Sequence, residues 1–295
     1  MIITNLIGGL GNQMFQYAAG RALSIQLDQP LRLDVSSFAN YCLHNGFELP
    51  RLFAGPMEVA SSEDMQRVLN WRAIPIFRRL LLRKELAVFR GKQFVVEPHF
   101  QYWNGISQVS PNTYLTGYWQ SEKYFEKVTN ILRADFVFKL PMSDKNQATA
   151  DEIEQCNSVS LHVRRGDYVQ NSNELSVHAL CSTEYYRMAI QQVAERVQQP
   201  VLFIFSDDIA WVKNNFKIDF PCQFVDHNHG TESYNDMRLM SLCRHHIIAN
   251  SSFSWWGAWL AQSSDQNVFY PKNWFNTPNN DISDLVPEFW IPIDA

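Results

Sequence analysis

What most limits the fold open to this chain is a repeated alternation, from residue 159 to residue 270, of short apolar runs with stretches of helical spacing. Val159, Leu161 and Val163 alternate with Ser160 and His162, so a strand there has one apolar and one polar face. Helical spacing follows over Thr183–Val197, with Ile190, Val193, Ala194 and Val197 inward and Pro200 closing it. Val201–Phe205 is apolar throughout, the pattern of a strand covered on both faces in a parallel sheet. Further helices are predicted through Phe216 and over Tyr234–Cys243, with strands at 222–226, 247–249 and 267–270. Strand and helix in turn make an α/β unit of Rossmann type, which takes ligands at the carboxyl ends of its strands.

The chain opens the same way. Ile2–Ile7 reads as a strand and Gly8-Gly9-Leu10-Gly11-Asn12-Gln13 as a turn. Met14, Phe15, Ala18, Ala22 and Leu23 then mark a helix, and Leu31–Val35 a second strand. Over 295 residues, 46% hydrophobic and 14% aromatic content supplies two cores. The polar stretch Met142–Asn157 is the expected boundary between lobes at 1–145 and 146–295, with a ligand cleft between them.

A formal charge of −5 argues against nucleic acid as a partner. Seven cations from Arg72 to Lys92 nevertheless face the single acid Glu85, interleaved with Phe77, Leu80, Leu81 and Val88 at near-helical spacing. A basic amphipathic patch is expected, either a solvated helix covering the first lobe or a peripheral contact with an anionic membrane. No apolar run reaches membrane-spanning length, and Cys42, Cys156, Cys181, Cys222 and Cys243 form no Cys-x-x-Cys pair. The expectation is a cytoplasmic protein with buried thiols.

The residues with the most chemistry follow Val163. Arg164 and Arg165 enter a turn with Gly166 and Asp167, and a tandem of permanently charged planar forks suits a pyrophosphate. Asp167 could hold one fork, although a solvated pair salt-bridged to Asp167 explains the same four residues. Asn250-Ser251-Ser252-Phe253-Ser254 joins a strand to a helix whose N-terminus attracts phosphate, while Ser252 or Ser254 as a simple cap fits equally. Asp207 and Asp208 would suit a bridging divalent cation, or Asp208 starts the next helix. His227 and His229 alternate as zinc ligands can, without further ligands at a usual spacing, so no metal is expected. Gly9 and Gly11, with Asp34 placed 23 residues after Gly11, approximate a dinucleotide fingerprint and raise an NAD-linked oxidoreductase as an alternative. Met14 stands where its third glycine belongs. Asn12 would cap the helix or face the ligand, and Trp255, Trp256 and Trp259 read as core.

Three blocks in this order, Gly8–Tyr17, the His162-x-Arg164-Arg165-x-Asp167 signature and Ile248–Gly257, resemble the inverting bacterial α-1,2-fucosyltransferases of glycosyltransferase family 11. The resemblance implies a GT-B fold, α/β with two Rossmann-like lobes, the donor bound C-terminally and acceptor contacts supplied N-terminally. It implies transfer of L-fucose from GDP-β-L-fucose to O2 of a terminal β-galactoside, on an oligosaccharide or lipid-linked glycan, without cofactor or metal. By similarity Arg164 contacts the β-phosphate, Asp167 supports the signature loop, and Asn12 faces the reacting centre. Asp236 lies near guanine and Ser252 near the phosphates, with His162, Arg165, Asp207, Asn250, Ser251, Phe253 and Ser254 also on the donor side. Glu97, His99 and Asp34 are candidate bases, and Phe100, Tyr102, Trp103, Tyr118 and Trp119 candidate stacking surfaces for sugar rings. A nucleotide- or glycan-binding protein without turnover is the rival reading.

Overall fold

A computed structural model describes residues 1–39, 44–166, 180–276 and 281–295. These divide into two compact units, Met1–Lys139 with Asp281–Val286, and Leu140–Asn280 with Pro287–Ala295. The segment 281–286 thus returns to the first unit, although the sequence pattern puts it in the second. Local polar contacts explain the return. Asp284 accepts from the Tyr102 backbone N–H at 2.9 Å and pairs with Lys123, and Asp281 accepts from Gln101 Nε2 at 2.8 Å.

In the first unit β1 (Ile2–Asn5), β2 (Leu31–Asp34), β3 (Phe94–Val96) and β4 (Thr113–Thr116) form a parallel sheet in the order β2-β1-β4-β3. Gly8, at φ 81°, makes the turn into the helix Leu10–Gln26, and Gly9 is its N-cap. Asn12 therefore sits inside the first turn and does not cap it. Gln13 and Gln16, both fully buried, are the fasteners of this block. Gln13 donates to the carbonyls of Gly8 and Gly46 and accepts from Glu48 N–H; Gln16 accepts from Ile7 N–H and donates to Gly117 O.

The close approach of helix to sheet is made at Gly20, six residues past Met14. A Cβ there would lie 2.0 Å from Thr4 Oγ1 and 3.1 Å from Leu31 Cδ1. Thr4 is β-branched and buried in β1, so it cannot swing aside. Gly20→Ala should therefore destabilise the protein by about 1–3 kcal/mol, read as a fall in thermal midpoint.

Residues 72–92 do not form one amphipathic helix. A short helix, Pro75–Leu80, is followed by a 3₁₀ segment, Lys84–Phe89. The chain breaks there because its own arginines satisfy the freed carbonyls. Arg72 Nε donates to Phe89 O at 2.7 Å, and the Arg90 guanidinium serves the carbonyls of Leu81, Leu82 and Arg83.

In the second unit β5 (Asn157–Val163), β6 (Pro200–Ser206), β7 (Cys222–Val225), β8 (His245–Ile247), β9 (Val268–Pro271) and β10 (Ile291–Ile293) are all parallel, in the order β7-β6-β5-β8-β9-β10. This is the dinucleotide-fold order, with the direction of winding reversed between β5 and β8. Pro200 opens β6, where its missing N–H costs no ladder bond, and the helix before it ends at Arg196. The polar stretch taken as a boundary contains the helix Asp144–Glu154, capped by Ser143 and burying Asn146, Thr149, Ala150 and Ile153. β8 starts at His245, earlier than its apolar residues suggest. His246 is buried and neutral, its pKa pushed down to about 3 first by desolvation and then by His245, and its Nδ1 lies 2.8 Å from Ser160 Oγ. Trp255 packs against Trp256, Trp259 and Trp290 with ring centroids 5.0, 6.2 and 5.5 Å away, so the tryptophans are core.

Candidate active site

The reversal between β5 and β8 sets the carboxyl ends of two neighbouring strands at one edge of the second unit. β5 delivers Arg164, Arg165 and Gly166 there, and β8 leads into the helix Ser252–Leu260. His162 and Phe253 join the two, with ring centroids 5.9 Å apart. His162 is buried and carries no charge at neutral pH. Desolvation, then the Arg164 cation, pushes its pKa down to about 3, and its Nδ1 finds no partner among the described residues.

Asp207, at the end of β6, governs the Arg164 turn. Its Oδ1 accepts the N–H groups of Arg165 and Gly166, each at 2.9 Å, and its Oδ2 pairs with Arg164 Nε at 3.2 Å. One carboxylate thus fixes both the backbone and the guanidinium, a task the sequence gives to Asp167, which lies outside the described residues. Burial works against its charge, but Arg164 and the two amides outweigh that and hold its pKa below the ordinary carboxylate range. Asp208 diverges from it, capping the helix Ile209–Asn215 through the Trp211 N–H at 3.1 Å. The two acids therefore do not form a chelating pair. The tandem forks part as well, since the Arg165 guanidinium lies 4.1 Å over the Trp211 ring.

Across the edge, most of the Asn250–Ser254 loop is turned inward. Asn250 accepts from Cys181 Sγ at 3.3 Å and donates to Trp274 O at 3.0 Å, Ser251 Oγ caps the helix by accepting Phe253 N–H, and Ser254 Oγ donates to Ser251 O. Asn250, Ser251 and Ser254 hold the loop. Ser252 alone of these serines is partly exposed, has no hydrogen bond among the described residues, and stands in the first helical turn. A guanidinium, a helix N-terminus and a hydroxyl are the kinds of group from which anion sites are built.

The same unit holds a buried polar network that sequence spacing does not reveal. Asp236 Oδ1 accepts from Asn228 Nδ2 at 2.8 Å, while Asn228 and Asn146 exchange bonds of 2.9 and 3.0 Å. His227 Nε2 lies 2.9 Å from Asn146 Oδ1, so its ring belongs to the network. Burial raises the Asp236 pKa to about 7, with the Asn228 bond opposing.

In the first unit Asn12 Oδ1 accepts from Gln120 Nε2 at 2.7 Å, leaving the residue partly exposed. Asp34 is fully engaged, accepting from Tyr114 Oη at 2.8 Å and Ser36 N–H at 3.0 Å, with Arg78 at 3.6 Å. It is therefore unavailable as a ribose ligand or a base. Glu97 takes the amides of Tyr118 and Trp119 at 2.6 and 2.9 Å, shaping a turn where Gly117 sits at φ 154° and a Cβ would lie 2.4 Å from Glu97 Cβ. Burial raises the Glu97 pKa to about 7 against those two bonds. Trp119 is completely buried against Tyr124 and cannot stack on a sugar, whereas Tyr118 beside it is exposed. Trp103 is half-buried with its backbone N–H donating to Tyr124 Oη, and His99 is exposed, its Nδ1 3.1 Å from Gln101 O.

Comparison with known proteins gives these features a setting. The model of glycosyl transferase family 11 matches residues 96–293. An alpha-1,2-colitosyltransferase of Escherichia coli is 38% identical over 300 residues, spanning 100% of this chain and 99% of that protein. The O-antigen biosynthesis glycosyltransferase WbnK of Escherichia coli is 32% identical over 302 residues, spanning 97% and 98%. Among solved structures, the alpha-1,6-fucosyltransferase NodZ soaked with GDP-fucose aligns at a TM-score of 0.52 with 16% identity, over 88% of this chain and 92% of that one. That likeness is one of fold, two Rossmann-like units of the GT-B class.

Proposed function

The chain belongs to glycosyl transferase family 11, and on that premise we propose that it moves L-fucose from GDP-β-L-fucose to O2 of a terminal β-galactoside, inverting C1 to give an α-1,2 linkage. The observation that carries the proposal is the Arg164 guanidinium, clamped by Asp207 at the strand-order reversal next to the helix start at Ser252. As the bond from C1 to the β-phosphate oxygen breaks, its electron pair leaves with GDP and the ring gains oxocarbenium character. A cation already fixed in place binds that growing negative charge without reorganising. Ser252 and the helix N-terminus take the other phosphate oxygens, and Asp236 takes the N1–H and N2–H donors of guanine. The acceptor hydroxyl attacks the opposite face of C1, forming the new bond as its proton passes to solvent water. Asn12 contributes on the acceptor side. Glu97, with both oxygens already on backbone amides, positions Tyr118 and is not assigned as the base.

The 38% identity to a colitosyltransferase favours a second reading in which the sugar is colitose, which lacks the 3-hydroxyl of fucose. Competing GDP-fucose against GDP-colitose, with a panel of β-galactosides as acceptors, separates the two. The fucose reading expects a kcat/KM preference for GDP-fucose of about tenfold or more, the worth of a hydroxyl with a partner in the site. A reversed ratio assigns colitose. GDP binding with no transfer to any galactoside makes the protein a binder, and a thermal shift with NAD but not GDP returns the oxidoreductase. Activity in EDTA is expected to be unchanged, because no step here uses a metal.

A further inference from the structure

Seven of the twelve large hydrophobic side chains exposed among the described residues fall between Trp71 and Phe89. Ile76 is 65% exposed, Val88 83% and Phe89 54%, and apolar side chains exposed together rather than singly mark an interaction surface. Contacts tie the patch together. Trp71 packs edge-on against Phe77 at 5.6 Å, Arg72 lies 4.7 Å over the Trp71 ring, and the same arginine holds the Phe89 carbonyl. Its underside is anchored, since Leu81 is buried in the first unit's core with Met1, Ile3, Phe94 and Tyr114, and Ala73 and Leu86 pack against them.

The charges divide by role. Arg72, Arg78 and Arg90 hold the fold through Phe89 O, Asp34 and the carbonyls at 81–83. Arg79, Arg83, Lys84 and Lys92 are exposed and make no ion pair or side-chain hydrogen bond among the described residues. With seven cations and one acid, 72–92 carries +6 in a chain of −5 overall. We infer that this segment docks on an anionic bilayer, with Trp71, Ile76, Val88 and Phe89 at the acyl boundary and the four uncommitted cations on lipid phosphates. An anionic membrane surface accepts both kinds of group at once. A second copy of the chain would instead bring +6 against +6. The docking does not depend on which sugar is transferred.

Flotation of the full chain with vesicles of phosphatidylcholine alone, or mixed with phosphatidylglycerol, tests this. The protein is expected to float with the mixed vesicles and to be released by salt. Replacing Arg79, Arg83, Lys84 and Lys92 by glutamine should weaken that partitioning on the order of 1,000-fold. Ile76→Ser with Val88→Ser and Phe89→Ser should also abolish flotation. Both variants should keep the circular dichroism, the GDP-induced thermal shift and the turnover of a soluble galactoside shown by the parent. Absence of the parent from anionic vesicles overturns the inference, as does flotation that neither variant changes. So does a dimer in sedimentation velocity that the serine variant dissolves while vesicle binding stays unaltered.

Discussion

Replacing Arg164 with alanine should lower kcat for sugar transfer by about 10²–10³-fold, with a much smaller change in the KM for GDP-fucose. The asymmetry follows from where the charge grows. In the ground state the diphosphate already carries its negative charges and can share them among Ser252, the helix N-terminus and water. The charge released on the bridging oxygen exists only as C1 departs, and a fixed guanidinium meets it best. Arg164→Lys should recover little, because a single ammonium cannot both reach Asp207 and present a planar fork to the leaving group. Asp207→Asn should cost about tenfold by loosening the same cation, and the double variant should be no worse than Arg164→Ala, since both act on one element. The depressed pKa of Asp207 means that its hold is present above the ordinary carboxylate range and is lost only as pH falls through that lowered value, so the clamp stays closed across neutral pH. Steady-state kinetics on variants with unaltered circular dichroism measure all of this, and an undiminished kcat for Arg164→Ala would remove Arg164 from the chemistry.

The parts of this arrangement visible in the sequence are those that periodicity and backbone chemistry encode. β5, β6 and β7 and the helices between them follow from apolar spacing, and so does the strand-end position of Arg164. The parts that escaped depend on partners distant in sequence. Asp167 lies beside the arginines in the chain, yet Asp207 grips the described part of the turn from the next strand, 43 residues after Arg164. Asn146 sits in a stretch too polar to read as packed, and its use is to pair with Asn228, 82 residues away. β8 begins with two histidines that look like loop and are buried neutral, and β10 is three residues long with Pro292 at its centre. In 72–92 the near-helical spacing suggests one helix, and the chain instead forms a short helix and a 3₁₀ segment. The arginines that suggest a polar helix face instead bind carbonyls at chain breaks, a use that spacing cannot distinguish. Met14 stands where a dinucleotide turn has its third glycine, and the glycine that lets this helix approach the sheet is Gly20, six residues further on.

GDP should bind more weakly as pH falls below about 7, by nearly tenfold per unit, and Asp236→Asn should abolish that dependence while weakening GDP about 100-fold at pH 8. In the free protein, burial keeps the Asp236 carboxyl protonated to unusually high pH, with only the Asn228 amide, held in turn by Asn146, favouring the ionised form. Guanine presents two adjacent donors, N1–H and the N2 amino group, and only the ionised carboxylate can accept from both. Binding must therefore expel a proton whenever pH lies below the pKa of the free site, and that proton is the origin of the slope. Inosine diphosphate lacks the N2 amino group and should bind the parent about tenfold less tightly than GDP, a gap that the asparagine variant should close because it can no longer take both donors. Calorimetry in buffers of different ionisation enthalpy counts the protons directly. If GDP binding to the parent releases none at pH 6, or if GDP and inosine diphosphate bind alike, Asp236 does not read the base, and the raised pKa reflects only the cost of burying a carboxylate beside Asn228.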